Sequence, residues 1–281
     1  MFNKSTQKLI VEKTLQKLKE KNLDHFPTEL SKWAYVAKQA KELSHAGVKA
    51  SDGDASDDVI DVTSNSLFPV TELYPSQSSM NIQKALSFVI AMIRGKMQAG
   101  GNLGAFISKD HFIMDGHHRW ISTAMFDPKI KVGGFLVDMQ GEFLLKILNA
   151  MTVGRFDKFQ GKKASGGFEQ FEPEEVRKTL ADFATNGIGG DHPVEQSVVL
   201  GALQDWTGQE GELAVRAAGD RIIKNLSGLT LDTPSWAPER PDMPIIDTED
   251  VPTAVQALDK GEVDWNDSDK SQQFRKDTPN Q

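Results

Sequence analysis

Residues 105–126 constrain this chain more than any other stretch. Ala105-Phe106-Ile107-Ser108 and His111-Phe112-Ile113-Met114 read as two short strands around a Lys109-Asp110 turn, and Trp120-Ile121-Ser122-Thr123-Ala124-Met125-Phe126 reads as a helix. Asp115-Gly116-His117-His118-Arg119 joins the second strand to that helix. A strand running through Asp-Gly into a helix leaves backbone N–H groups without acceptors at the helix start. Those amides and the helix dipole favour an anion, and Arg119 offers a bidentate fork for phosphate oxygens. The stretch reads as a phosphate or nucleotide pocket.

The rest of the chain divides by composition. Residues 1–48 predict two helices, over 5–22 and 29–44, with Lys4, Lys8, Lys13, Lys17 and Lys21 recurring about every four positions on the first. Such a basic helix reads either as a DNA contact or as a solvated face packed by its leucines. Residues 49–65 are rich in acids and turn residues and read as a linker. Their spacing does not fit a calcium loop, because Gly stands at the second position and no Glu follows at the twelfth.

A central domain is expected over 66–152, with β-type runs at 59–62, 67–73 and 132–137 and helical periodicity over 81–97 and 142–151. Residues 153–230 predict a helical region, with helices over 172–184, 193–205 and 211–226. Residues 231–281 carry five prolines between 234 and 252 and many acids, so a disordered acidic tail is expected, with Trp236 and Trp265 as anchors for a protein partner. The element order argues for an α+β fold.

Charge follows the same division. The net −8 of the 281 residues sits almost wholly at the end, where residues 232–281 hold twelve acids against five bases. The first fifty residues hold ten Lys against five acids. Cysteine is absent, which excludes disulfides, thiolate metal sites and thiol nucleophiles. No apolar run has the length of a membrane span and no secretory h-region opens the chain, so a cytoplasmic protein is expected.

The strand–turn–strand–Asp-Gly-His-His-Arg–helix pattern resembles the ParB/sulfiredoxin superfamily. It is closest to the branch that contains free-serine kinases and many ParB-like phage proteins. Leu67-Phe68-Pro69-Val70-Thr71-Glu72-Leu73-Tyr74-Pro75-Ser76-Gln77 resembles the opening strand of that family and its hydrophobic-x-Pro-x-Gln turn. The resemblance covers about residues 66–150. It implies a mixed-sheet domain that binds a nucleotide (ATP, ADP or CTP) with Mg²⁺ and acts as a phosphotransferase or nucleotide hydrolase.

Carried over, Gly116, His117, His118 and Arg119 form the phosphate cradle, with Gln77 and Ser122 beside it. Asp115 either caps the helix or holds Mg²⁺. Glu72 is the candidate general base. His117 or His118 is a candidate general acid or base near neutral pH, one meeting the phosphate while the other packs. Ser122 and Thr123 have a second option, bonding to their own helix carbonyls.

Lack of cysteine excludes sulfiredoxin chemistry. The Arg-Arg pair of the CTP-hydrolysing clamp proteins is replaced here by His-His-Arg, and no basic helix–turn–helix follows, which departs from a centromere-binding pattern. Two other readings stay open: a DNA-associated partition-like or nuclease-like protein, and a non-catalytic interaction module.

Overall fold

Along the central strands successive side chains point to opposite faces, and both sets are apolar, so the sheet must be covered on both sides. In the computed structural model, which describes residues 58–156, 158, 167–190 and 192–262, this is what happens. The helices expected over 5–22 and 29–44, and most of the acidic linker, lie outside the described residues.

Five strands form one mixed sheet: β1 (Val62–Pro69), β2 (Tyr74–Pro75), β3 (Gly101–Ser108), β4 (Phe112–Ile113) and β5 (Lys131–Val137). Their order is β1-β5-β3-β4-β2. β5 runs antiparallel to β1 and parallel to β3, β3 and β4 form the expected hairpin, and β2 closes the edge parallel to β4. Among the described residues there are seven α-helices: α1 (Ile82–Ile93), α2 (His117–Phe126), α3 (Gly141–Gly154), α4 (Pro173–Asn186), α5 (Gln196–Thr207), α6 (Gly211–Leu226) and α7 (Val251–Asp259). The fold is α+β.

Ala105, Ile107, Ile113 and Val132 face the first layer, where they meet Leu86 and Ile90 of α1 and Ile121 of α2. Val176, Leu180 and Ile222 of α4 and α6 extend that same core. Helices α4 to α6 are therefore packed onto α1 and α2, which cover the sheet, and Asn225 Nδ2 donates to the Met125 carbonyl at 2.7 Å. Pro173 at the first position and Glu174 and Glu175 in the first turn start α4 as its sequence predicts. Phe106, Met114 and Val137 face the second layer, formed by Leu144, Leu145 and Leu148 of α3 with Ala254, Ala257 and Leu258 of α7.

Two expectations need correction. First, in place of two strands at 59–62 and 67–73 there is one, β1 over Val62–Pro69, followed by a 3₁₀ turn at Val70–Glu72. The domain therefore begins inside the stretch that composition marks as linker. Ile60 N–H donates to the Leu258 carbonyl at 3.0 Å and Val62 N–H to Asp259 Oδ1 at 3.1 Å, so the start of the domain is tied to α7.

Second, residues 231–262 of the expected disordered tail are an ordered part of the body. Met243 and Ile246 are buried in the second core, and Trp236 packs edge-on against Phe112 with ring centroids 4.9 Å apart. The prolines hold the chain extended between these anchors, which suits a strap as well as it suits disorder. Trp236 thus serves the chain's own sheet, while Trp265 lies outside the described residues.

Backbones approach closely where β5 crosses the sheet. A Cβ on Gly133 would lie 1.8 Å from the Ser66 carbonyl oxygen, and one on Gly134 would lie 2.2 Å from that of Ala105. Only glycine fits between the two bulged ladders at these positions. Among the described residues no helix is long and apolar enough to cross a membrane.

Candidate functional site

β4 ends at Ile113, and three residues later the chain turns through Gly116, whose φ of 79° is left-handed. Glycine takes that conformation without a Cβ clash, which lets the strand enter α2 directly. Trp120 N–H donates to the Gly116 carbonyl at 2.9 Å and closes the first turn. Trp120 itself is fully buried, and its indole donates to the Val70 carbonyl at 2.8 Å, which pins α2 to the sheet. The N–H groups of His117, His118 and Arg119 have no acceptor among the described residues. The helix start keeps the orphan donors that its sequence implies.

Parallel pairing of β2 with β4 carries residues 76–81 against this turn. Ser76 N–H donates to His117 Nε2 at 3.2 Å, and Ser76 Oγ donates to the Ile113 carbonyl at 2.7 Å. Asn81 N–H donates to His118 Nε2 at 3.2 Å, while Asn81 Oδ1 accepts from Lys84 N–H at 2.8 Å and caps α1. Each imidazole thus accepts a backbone N–H at one end of the 76–81 loop. Acceptance at Nε2 places the ring proton on Nδ1.

The pKa of both rings is pushed down to about 3. Burial is the main cause in each, followed by the positive charge of Arg240 and, for His118, Lys84. They are neutral at neutral pH. The expectation that either ring acts as an acid–base group near neutrality is corrected on that ground: a cationic imidazole here is both desolvated and repelled by neighbouring cations. Instead the pair positions the loop.

Asp115 keeps solvent access yet stands in a protein-crowded position. Loss of hydration raises its carboxyl above the usual range, opposed by the Gly116 amide, which donates to Oδ1 at 2.6 Å. Asp247 adds to the rise, and Arg240 and Lys84 oppose it. Two carboxylates, Asp115 and Asp247, and two cations, Arg240 and Lys84, thus act on one another at the start of α2.

Arg240 arrives on the strap. Ser78 N–H donates to the Pro238 carbonyl at 2.9 Å, and Arg240 N–H donates to Ser79 Oγ at 3.1 Å. The strap therefore lies along the loop that the two histidines hold. Beyond it, a cavity of about 930 Å³ opens between α1 and Phe183, Ile188, His192 and Val194, with Asn81, Lys84 and Arg240 at its near end.

The other expected site residues fall in different places. Arg119 is half-buried at the start of α2, and its side chain has no hydrogen-bond or ion-pair partner among the described residues. Gln77 is buried and bonds to the Ser79 carbonyl of its own loop. Ser122 Oγ donates to the Ala85 carbonyl at 2.8 Å and also meets the His118 carbonyl, so it ties α2 to α1. Thr123 likewise bonds back, to the Arg119 carbonyl at 2.8 Å.

Glu72 is exposed at the end of the 3₁₀ turn that precedes β2, on the far side of that strand from Ser76. Its carbonyl there pairs with His111 Nδ1 at 3.2 Å. The structure does not bring Glu72 to the motif, because β2 and β4 run parallel and only their far ends reach α2.

Sequence reasoning missed Lys84 and Arg240. Lys84 carries a faint signal, three residues after a capping Asn. Arg240 carries none, since only the strap's path brings it near. No group of three or more His, Asp or Glu side chains fit to hold a metal occurs among the described residues. Asp115 supplies a single carboxylate, which suits Mg²⁺ only when ligand phosphates complete its shell. Comparison with protein-family models, curated proteins and solved structures finds no match for this chain.

Proposed function

We propose that this chain is a ParB/sulfiredoxin-like protein that binds the phosphates of a nucleotide (ATP, ADP or CTP) at the start of α2 and transfers or hydrolyses the terminal phosphoryl group. One observation carries the reading: Lys84 and Arg240, from elements far apart in sequence, both act on a turn whose first three helix amides lack acceptors. Amides, dipole and cations together form a preorganised anion site. Arg119 adds a fork that needs no rearrangement of an existing ion pair.

Asp115 is the group suited to take the proton of an attacking hydroxyl or water. As the new oxygen–phosphorus bond forms, that proton passes to Asp115. The bond to the leaving phosphate oxygen then breaks with its electron pair on that oxygen, which the α2 amides and the cations stabilise. His117 and His118 are positioning residues that fix the loop. Mg²⁺ carried by the nucleotide would meet Asp115 and supply further charge neutralisation.

Calorimetry with ATP, ADP and CTP in the presence of Mg²⁺ tests this. The wild type should bind one of them, and Arg119→Ala and Arg240→Ala should each weaken it at least about tenfold, the loss of one charge-assisted contact. Asp115→Asn should keep binding and lower turnover by about 10²-fold or more. A folded wild type that binds no nucleotide would overturn the reading.

A further inference from the structure

The cavity beside α1 shares Lys84 and Arg240 with the phosphoryl site but carries further cations and an aromatic ring that the site does not use. Its wall along α1 repeats at helical spacing, with Lys84, Ser87, Phe88, Ala91 and Arg94 on one face. Lys96 follows just past the helix end, and Arg240 closes the near end. No side chain lining it among the described residues is acidic, although the chain as a whole carries −8. Phe88 is half-buried midway, with the Lys84 ammonium 5.6 Å from its ring centroid. The Arg94 side chain has no hydrogen-bond or ion-pair partner among the described residues.

Lys84 and Arg94 are about 15 Å apart along α1, from the rise of ten residues. Phosphates recur about every 3.4 Å along one stacked strand, so about four of them span that length. A single bound nucleotide satisfies the near cations and leaves Arg94 and Lys96 unused. A single strand can lay its phosphates on the cations and an unpaired base against Phe88, which a paired base in a duplex does not offer.

We infer that this groove binds single-stranded nucleic acid and presents it to the motif as the acceptor. The inference rests on the reading of α2 as a phosphoryl site, because only then does a strand at the near end have a reaction to undergo. Its terminal hydroxyl would lie by Lys84 and Arg240, at the phosphate cradle. The basic N-terminal fifty residues are poor occupants of a basic groove, since like charges would face each other.

The test is fluorescence anisotropy of a labelled oligothymidylate of about ten nucleotides on the full chain. Binding should weaken with salt at a log–log slope of about −3, as expected when four cations contact a single strand. Arg94→Glu combined with Lys96→Glu should weaken it at least about tenfold, and Phe88→Ala several-fold. Both variants should leave calorimetric nucleotide binding unchanged, which also reports that they are folded.

Strand binding that ignores the charge reversals would overturn the inference, since it would then run through another surface. Equal competition by polyglutamate would overturn it as well, by showing a site for any polyanion. Loss of nucleotide binding in the wild type, with strand binding still dependent on Arg94 and Lys96, would sink the phosphoryl reading and leave the groove standing. Intact nucleotide binding with no strand binding would do the reverse.

Discussion

His117 and His118 show how a residue type that suggests chemistry can be consumed by architecture. Each accepts one backbone N–H, from Ser76 and Asn81, and burial and nearby cations disfavour a second proton on either ring. The consequence is a pH dependence of folding. Both rings have folded pKa values of about 3 against an ordinary 6.5, so the unfolded chain binds more protons between those limits. Stability is therefore full above pH 6.5 and is lost as pH falls toward 3, by about 1.4 kcal/mol per pH unit for each ring. Asp115, with a raised carboxyl, acts in the opposite direction: its contribution is present below its ordinary 3.8 and fades as pH rises through the folded value. Urea unfolding at pH 7 and at pH 5.5 should differ by about 2.5 kcal/mol, a window in which ordinary carboxylates hardly titrate. The slope should flatten in His117→Gln/His118→Gln. A flat profile in the wild type would show that the rings are hydrated and free to protonate.

The strap of residues 231–262 determines the site at the scale of elements, because it delivers Arg240 and covers the second face of the sheet. Its Trp236 meets Phe112, and its Met243 and Ile246 join the α3–α7 core. Limited proteolysis should spare 232–260, although composition alone marks this as the most cleavable stretch of the described chain. Trp236→Ala should cost about 2 kcal/mol, less than a fully buried Trp because the ring is only partly covered. It should also open cleavage within the strap. Ready cutting of the wild type there would return the segment to the disordered class.

This element marks the boundary of what the sequence could tell. The β3–β4 hairpin, the entry into α2 and helices α4 to α6 were readable because their signals are local: a turn pair, a Pro at a first helical position, apolar residues at 3.6-residue spacing. The strap's apolar residues are sparse, separated by prolines and paired with residues about a hundred positions away, so no window contains their partners. The same reason hides Lys84 and Arg240 as a pair. The strand expected over 132–137 is there, but that its Gly133 and Gly134 let β1, β5 and β3 approach depends on partners far away in the chain.

At the scale of the molecule, composition suggests a central domain, a separate helical region and a loose tail, while the packing argues for one cooperative unit. Three tryptophans happen to report on its parts. Trp120 is in the first core, Trp206 is stacked on Phe126 in the helical layer at 5.9 Å, and Trp236 is on the second face. Val176, Leu180 and Ile222 share a core with Leu86 and Ile121, and both cores are built on opposite sides of the same strands. Separating the helical layer would expose that apolar surface on both halves, a cost on the order of 25 cal/mol per Å². Unfolding of any layer should therefore drag the others with it. Variants that keep only Trp120, only Trp206 or only Trp236, with Phe elsewhere, should each give a urea transition by fluorescence that coincides with its own far-UV circular dichroism. Comparison within each variant removes the effect of the substitutions themselves on stability. If the Trp206 signal melts before the dichroism of the sheet is lost, the helical layer is an independent domain docked on the site. In that case Asn225 and the α2–α6 contact mark an interface that can open.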